Sequence, residues 1–167
     1  MLVGLPGAGK TTVGRIVAEK LGAGFFDTDS IIVRKMQMPV SRIFAEHGEI
    51  KFRAIEQEAM TQAMSGPPAV ISPGGGWIAQ PGAIHSAREK AFLVYLKAMA
   101  LTASKRVSGE GTRPLLVGAD PVEAMRVLFK EREPFYLQAD AEVKADIKTP
   151  AQLAEEIVAL AKERAGW

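Results

Sequence analysis

Apolar residues recur along this chain in two rhythms. Short apolar runs at 1–3, 24–26, 69–72, 92–97 and 141–145 predict strands. Apolar positions at helical spacing predict helices over 10–21, 29–36, 40–47, 49–64, 82–89, 100–107, 121–135 and 150–165. The first of these carries Val13, Ile16, Val17 and Leu21 on one stripe, and Gly22 stops it. Pro134 is expected to end the helix it falls in, because proline cannot continue one. Strands alternating with helices predict an α/β fold built on a parallel sheet with both faces covered. Two segments interrupt the alternation: a long helical insert between the second and third strands, and a Gly-rich stretch at 108–118. Insertions after the carboxyl ends of strands are where ligands sit in such sheets.

Composition adds bounds rather than detail. A chain of 167 residues is expected to form one domain with a proper core. Its net charge is +2, and no run of Lys or Arg suggests a nucleic-acid partner. No stretch of about 18 apolar residues and no signal-peptide pattern points to a membrane or to secretion, so a cytoplasmic enzyme is expected. Cysteine is absent, which excludes disulfides and thiolate metal sites. The two histidines, His47 and His85, have no partners at metal or triad spacing. Only three residues precede the first loop, so one or two more are expected upstream.

That loop carries the first chemistry. Gly4-Leu5-Pro6-Gly7-Ala8-Gly9-Lys10-Thr11 matches G-x-x-x-x-G-K-[ST], the phosphate-cradling P-loop, between a strand and a helix. Its backbone N–H groups and the following helix's positive end suit the phosphates of a nucleoside triphosphate. Lys10 is expected at the β- and γ-phosphates, and the Thr11 hydroxyl at Mg²⁺. The third strand, ending at Ser72, offers no carboxylate for the metal. The acids follow the second strand instead, in Asp27-Thr28-Asp29. One of them can reach Mg²⁺ through water while the other takes a hydrogen bond from a substrate hydroxyl; alternatively Asp29 caps the next helix.

Other candidates leave alternatives open. Arg53 and Glu56 share a helical face, which by itself suits a surface ion pair. Gly74-Gly75-Gly76 after the third strand costs backbone entropy unless something approaches the main chain closely, and a substrate floor is the better reading. The basic-flanked segment from Lys105 to Leu116 reads as a mobile lid, with Arg113 able to swing over a phosphate. Arg132, near a helix end, suits either the helix dipole or an anion.

Together, Asp27-x-Asp29, Gly48-Glu49 followed by Phe52-Arg53-x-x-Glu56, Gly74-Gly75-Gly76, Arg113-Pro114-Leu115-Leu116 and Arg132-x-Pro134-x-Tyr136 resemble the shikimate kinase family over essentially the whole chain. The resemblance implies an α/β, P-loop NTPase-type fold like that of nucleoside monophosphate kinases. That fold is a three-layer sandwich with a five-stranded parallel sheet, a substrate-binding insert at about 28–60 and a lid at about 107–118. It implies transfer of the ATP γ-phosphoryl group to the 3-hydroxyl of shikimate with Mg²⁺, in a monomeric enzyme. Lys10, Asp29 and Arg113 would be catalytic. Gly7, Ala8, Gly9, Lys10, Thr11, Thr12, Arg106, Arg113 and Pro150 would bind ATP, with Arg106 packed on adenine. Asp29, Arg53, Glu56, Gly74, Gly75, Gly76 and Arg132 would bind shikimate, the two arginines gripping its carboxylate. Thr11 and, through water, Asp27 would hold the metal.

Three features depart from the family's usual pattern. Val33 stands where an acid is common. Trp77 stands where a small residue is commoner, and its bulk is expected near the substrate. Residues 145–149 are a loose version of the adenine loop. The nearest rival is another small-molecule P-loop kinase, such as a gluconate kinase-like enzyme.

Overall fold

The computed structural model describes residues 1–107 and 120–167. Most of the expected lid, residues 108–118 with Arg113, therefore lies outside the described residues. The elements follow the predicted order: β1 (Leu2–Val3), α1 (Lys10–Leu21), β2 (Gly24–Asp27), α2 (Thr28–Met36), α3 (Val40–Ser65) and β3 (Ala69–Ser72) come first. A 3₁₀ turn (Trp77–Ala79), α4 (Ala83–Lys90), β4 (Val94–Lys97), α5 (Ala100–Val107), α6 (Pro121–Tyr136), β5 (Ala141–Lys144) and α7 (Pro150–Arg164) follow.

All described strand pairs are parallel, but the strands do not form one five-stranded sheet. β1, β4 and β5 form one hydrogen-bonded group in the order β1-β4-β5, while β2 and β3 form another. β3 lies beside β1 without a ladder between them. The reason is the brevity of β1: two residues register with Val94 and Tyr95 of β4, and Gly4 then turns the chain into the loop at a φ of 147°. Val94, Tyr95 and Leu96 are buried in succession, so β4 is covered on both faces. α1 packs on α7 and on β2 and β3, and α5 packs on α6.

The insert after β2 carries its own apolar cluster: Ile32 from α2 meets Ile43, Phe52 and Ile55 from α3, with Phe44 tilted against Phe52. α3 is broken at Gly48, whose φ of 74° and ψ of 168° are not helical, which separates the two predicted helices without a gap. Pro134 does not end α6. The helix runs two residues further, because proline forfeits only its own N–H in the last turn, and Leu137 N still bonds Glu133 O at 2.9 Å. This extension brings Tyr136 to the end of the helix, fully buried, with its ring stacked on Tyr95 at 5.2 Å.

Candidate active site

The P-loop is wedged between β4 and α5. Gly7 has a φ of 78°, and a side chain there would meet the Ala103 carbonyl and, at 2.8 Å, Val107. Glycine is thus required by both backbone and space. Ala8 N bonds Leu5 O at 3.1 Å, and Gly9 precedes α1 as its cap. Lys10 is buried, and its Nζ donates to the carbonyls of Gly4 and Leu5, each at 2.9 Å. Thr12 is exposed on the first turn of α1.

The aspartate pair divides in a way the spacing left open. Asp27, not Asp29, caps α2: its Oδ1 accepts from Ser30 N at 2.9 Å. Its Oδ2 accepts from Thr11 Oγ1 at 2.6 Å, which ties the end of β2 to the start of α1. Asp29 is left in the first turn of α2, facing the triple glycine.

The three glycines each meet a different neighbour. A Cβ on Gly74 would lie 2.6 Å from Glu56 Oε1 and 2.8 Å from Asp29 Oδ1. One on Gly75 would lie 2.8 Å from the Pro6 ring of the P-loop. One on Gly76 would lie 2.9 Å from Arg53 Nη2 and 3.1 Å from Arg132 Nη2. Two carboxyl groups therefore close on one end of this short segment and two guanidinium groups on the other. The segment is itself pinned twice, by Gly74 N donating to Thr28 Oγ1 at 3.0 Å and by Tyr136 OH donating to Gly75 O at 2.6 Å.

Arg53 Nη1 donates to Glu56 Oε2 at 2.6 Å, and its Nη2 lies 3.3 Å from Glu49. Far from being a surface pair, Glu56 is fully buried. Its Oε1 has no hydrogen-bond partner among the described residues. Burial pushes its carboxyl up to about 7 against the opposing pull of Arg53, with Asp29 adding to the rise and Arg132 reducing it. Arg132 is buried as well, at 8% exposure on α6, which favours an anion over the helix dipole as its partner.

These groups line one cavity of about 600 Å³, together with Thr11, Thr12, Asp27 and an apolar wall of Val33, Val40, Phe44, Phe52 and Leu128. Arg106 and Pro150 lie outside it. Arg106 reaches Gly7 O at 3.5 Å and Ala145 O at 3.4 Å, bridging the P-loop to the end of β5. Pro150 opens α7 behind a capping box of Thr149 and Gln152. Trp77 does not line the cavity, although Gly76 before it does: its side chain is buried in the core, with Nε1 donating to Gln57 at 3.2 Å. Thr28 and the Tyr136 hydroxyl were missed as supports. The only signal was their place inside the motifs, since a hydrogen bond to a distant backbone group leaves no local pattern.

Residues 6–162 match the shikimate kinase family (SKI: Shikimate kinase). The chain belongs to the shikimate kinase family. It is 39% identical to a shikimate kinase of Caldicellulosiruptor bescii over 98% of this chain and 96% of that protein. It is 42% identical to one of Mycobacterium avium over 87% and 82% respectively. Among solved structures it is similar to the shikimate kinase from Acinetobacter baumannii in complex with shikimate. The TM-score there is 0.92 at 34% identity, covering 97% of this chain and 91% of that one. A gluconokinase from Sinorhizobium meliloti, at 16% identity and a TM-score of 0.62, shares the fold alone.

Proposed function

We propose that this protein transfers the γ-phosphoryl group of ATP to the 3-hydroxyl of shikimate, giving shikimate 3-phosphate and ADP. The observation that carries the reading is the meeting of Arg53 and Arg132 over Gly76, with Asp29 and Glu56 at Gly74, in a cavity that reaches Thr11 of the P-loop. Two guanidinium groups suit a planar carboxylate, which they grip with direction as well as charge. With the carboxylate held at Gly76, a ring hydroxyl points toward Asp29, which accepts its hydrogen bond. The hydroxyl oxygen bonds the γ-phosphorus as the bond to the bridging oxygen of ADP breaks, and the hydroxyl proton passes to the Asp29 carboxylate.

Little covalent help is needed, so catalysis rests on positioning and on cations near the transferring group. Lys10, with Arg113 outside the described residues, supplies those cations, and Gly7, Ala8, Gly9, Thr11 and Thr12 hold the phosphates. Arg106 and Pro150 flank the adenine. The oxygen donors Thr11 and Asp27, 2.6 Å apart at the end of the P-loop, fit Mg²⁺, a hard cation that keeps several waters. The ion would neutralise charge on the phosphates. We take it to be a monomer acting on ATP and shikimate in the cytoplasm, as the family resemblance implies. No helix among the described residues is long and apolar enough to cross a membrane.

A coupled assay of ADP release with shikimate, quinate and gluconate tests the reading. Turnover with shikimate and little with gluconate is expected; the reverse would overturn it.

A further inference from the structure

Glu56 is the one carboxyl in this site whose burial and partners do not balance. One oxygen is bound to Arg53 at 2.6 Å, and the other is enclosed without a hydrogen-bond partner among the described residues. A buried ionised carboxylate needs its oxygens satisfied, whereas a neutral carboxyl has less solvation to lose and carries an O–H of its own. The charged groups facing it are Arg53 on its own helix, Asp29 from α2 and Arg132 from α6. Glu56 Oε1 and Asp29 Oδ1 lie beside the same point at Gly74, so the acidic neighbour discourages a second negative charge there.

Arg53 also has several claimants. Its Nη1 is bound by Glu56 and its Nη2 lies 3.3 Å from Glu49, and under the reading proposed above it must bind the substrate's carboxylate. With Glu56 ionised, Asp29, Glu49, Glu56, Arg53 and Arg132 sum to minus one, and an incoming carboxylate takes the cluster to minus two. With Glu56 neutral the same five sum to zero, and the substrate takes them only to minus one.

We infer that Glu56 is a positioning residue that takes up a proton when the anionic substrate binds, staying on Arg53 Nη1 while Arg53 Nη2 meets the substrate's carboxylate at Gly76. The proton comes from the solvent buffer and forms an O–H bond on the buried carboxyl. No other bond changes. The substrate carboxylate further weakens the pull of both arginines on Glu56, which holds the proton in place. The inference rests on the shikimate reading of the site. It adds that affinity falls by about tenfold for each unit of pH once Glu56 must be protonated from its ionised form.

Calorimetric titration of the full chain with shikimate alone, without nucleotide or metal, tests it in two buffers of low and high ionisation enthalpy. At pH 7 the enthalpies should differ by an amount equal to uptake of about half a proton, since Glu56 titrates near that pH in the free protein. The uptake should vanish near pH 5, where the carboxyl is already neutral. Glu56→Gln should bind with no buffer dependence at either pH. Equal enthalpies in the two buffers for the wild type, or the same uptake in Glu56→Gln, would overturn the inference while leaving the shikimate reading standing. Absence of any shikimate binding would overturn that reading and the inference with it. Should Glu56→Gln fail to fold, the wild-type pH series decides: uptake that persists undiminished at pH 5 overturns the assignment to Glu56.

Discussion

Arg53 on α3 and Arg132 on α6 each bring an Nη2 atom to about 3 Å from the place a Gly76 side chain would occupy, 2.9 Å for the first and 3.1 Å for the second. Nothing else in the sequence connects these two arginines, and Gly76 is the backbone on which they meet. A methyl group there would displace the far ends of two flexible side chains rather than any backbone. Gly76→Ala should therefore fold with near-normal stability, yet raise the KM for shikimate by at least about tenfold, the loss of roughly one charged hydrogen bond. The KM for ATP should stay within about twofold. Steady-state kinetics with each substrate varied checks this, and equal rises in both would argue for a general distortion.

Asp29→Asn keeps the shape of the side chain and removes its charge beside Gly74. Turnover should fall by at least about 10²-fold, the lower range for a group that handles a proton in the transition state. ATP affinity, measured by equilibrium titration, should be nearly unchanged, because Asp27 and not Asp29 is the residue bonded to Thr11. Strong residual turnover would remove Asp29 from the reacting hydroxyl.

Tyr136 holds Gly75 O through its hydroxyl at 2.6 Å, in the middle of the segment that separates the carboxyl groups from the guanidinium groups. Tyr136→Phe leaves the ring stacked on Tyr95 but strands a buried carbonyl. It should destabilise the fold by roughly 1–3 kcal/mol in denaturant titration. It should also raise the KM for shikimate more than that for ATP, since the triple glycine loses one of its two anchors and keeps only the bond from Gly74 N to Thr28.

Stability should carry the mark of Glu56. Its carboxyl is raised from 4.5 to about 7 by burial, with Asp29 adding to the rise against the pull of Arg53 and Arg132, so between those values the native protein keeps a proton the unfolded chain has released. The native state then binds more protons than the unfolded one, and the contribution of Glu56 to stability declines as pH rises through this window. It is intact below about 4.5 and fully lost above about 7, a change of order 3 kcal/mol. Denaturant unfolding at pH 5 and pH 8 should show a smaller difference for Glu56→Gln than for the wild type. Equal pH dependence in the two would refute it.

Sequence alone was enough for the P-loop, the order of strands and helices, and the break at Gly48. These depend on local geometry: a glycine that must adopt a positive φ, a stripe repeating every turn, or a run of adjacent apolar residues identifies itself within a few positions. The resemblance to a family also singled out Asp29, Arg53, Glu56 and Arg132, which the fold brings to one cavity, because its motifs preserve order and spacing. Tertiary structure decided the rest. It chose Asp27 over Asp29 as the cap of α2, buried Glu56, turned Trp77 into the core, carried α6 past Pro134 and split the strands into groups of three and two. Each of these outcomes depends on which distant surface a side chain or strand edge meets, and burial, hydrogen bonding and charge at such a meeting belong to the pair and not to either residue.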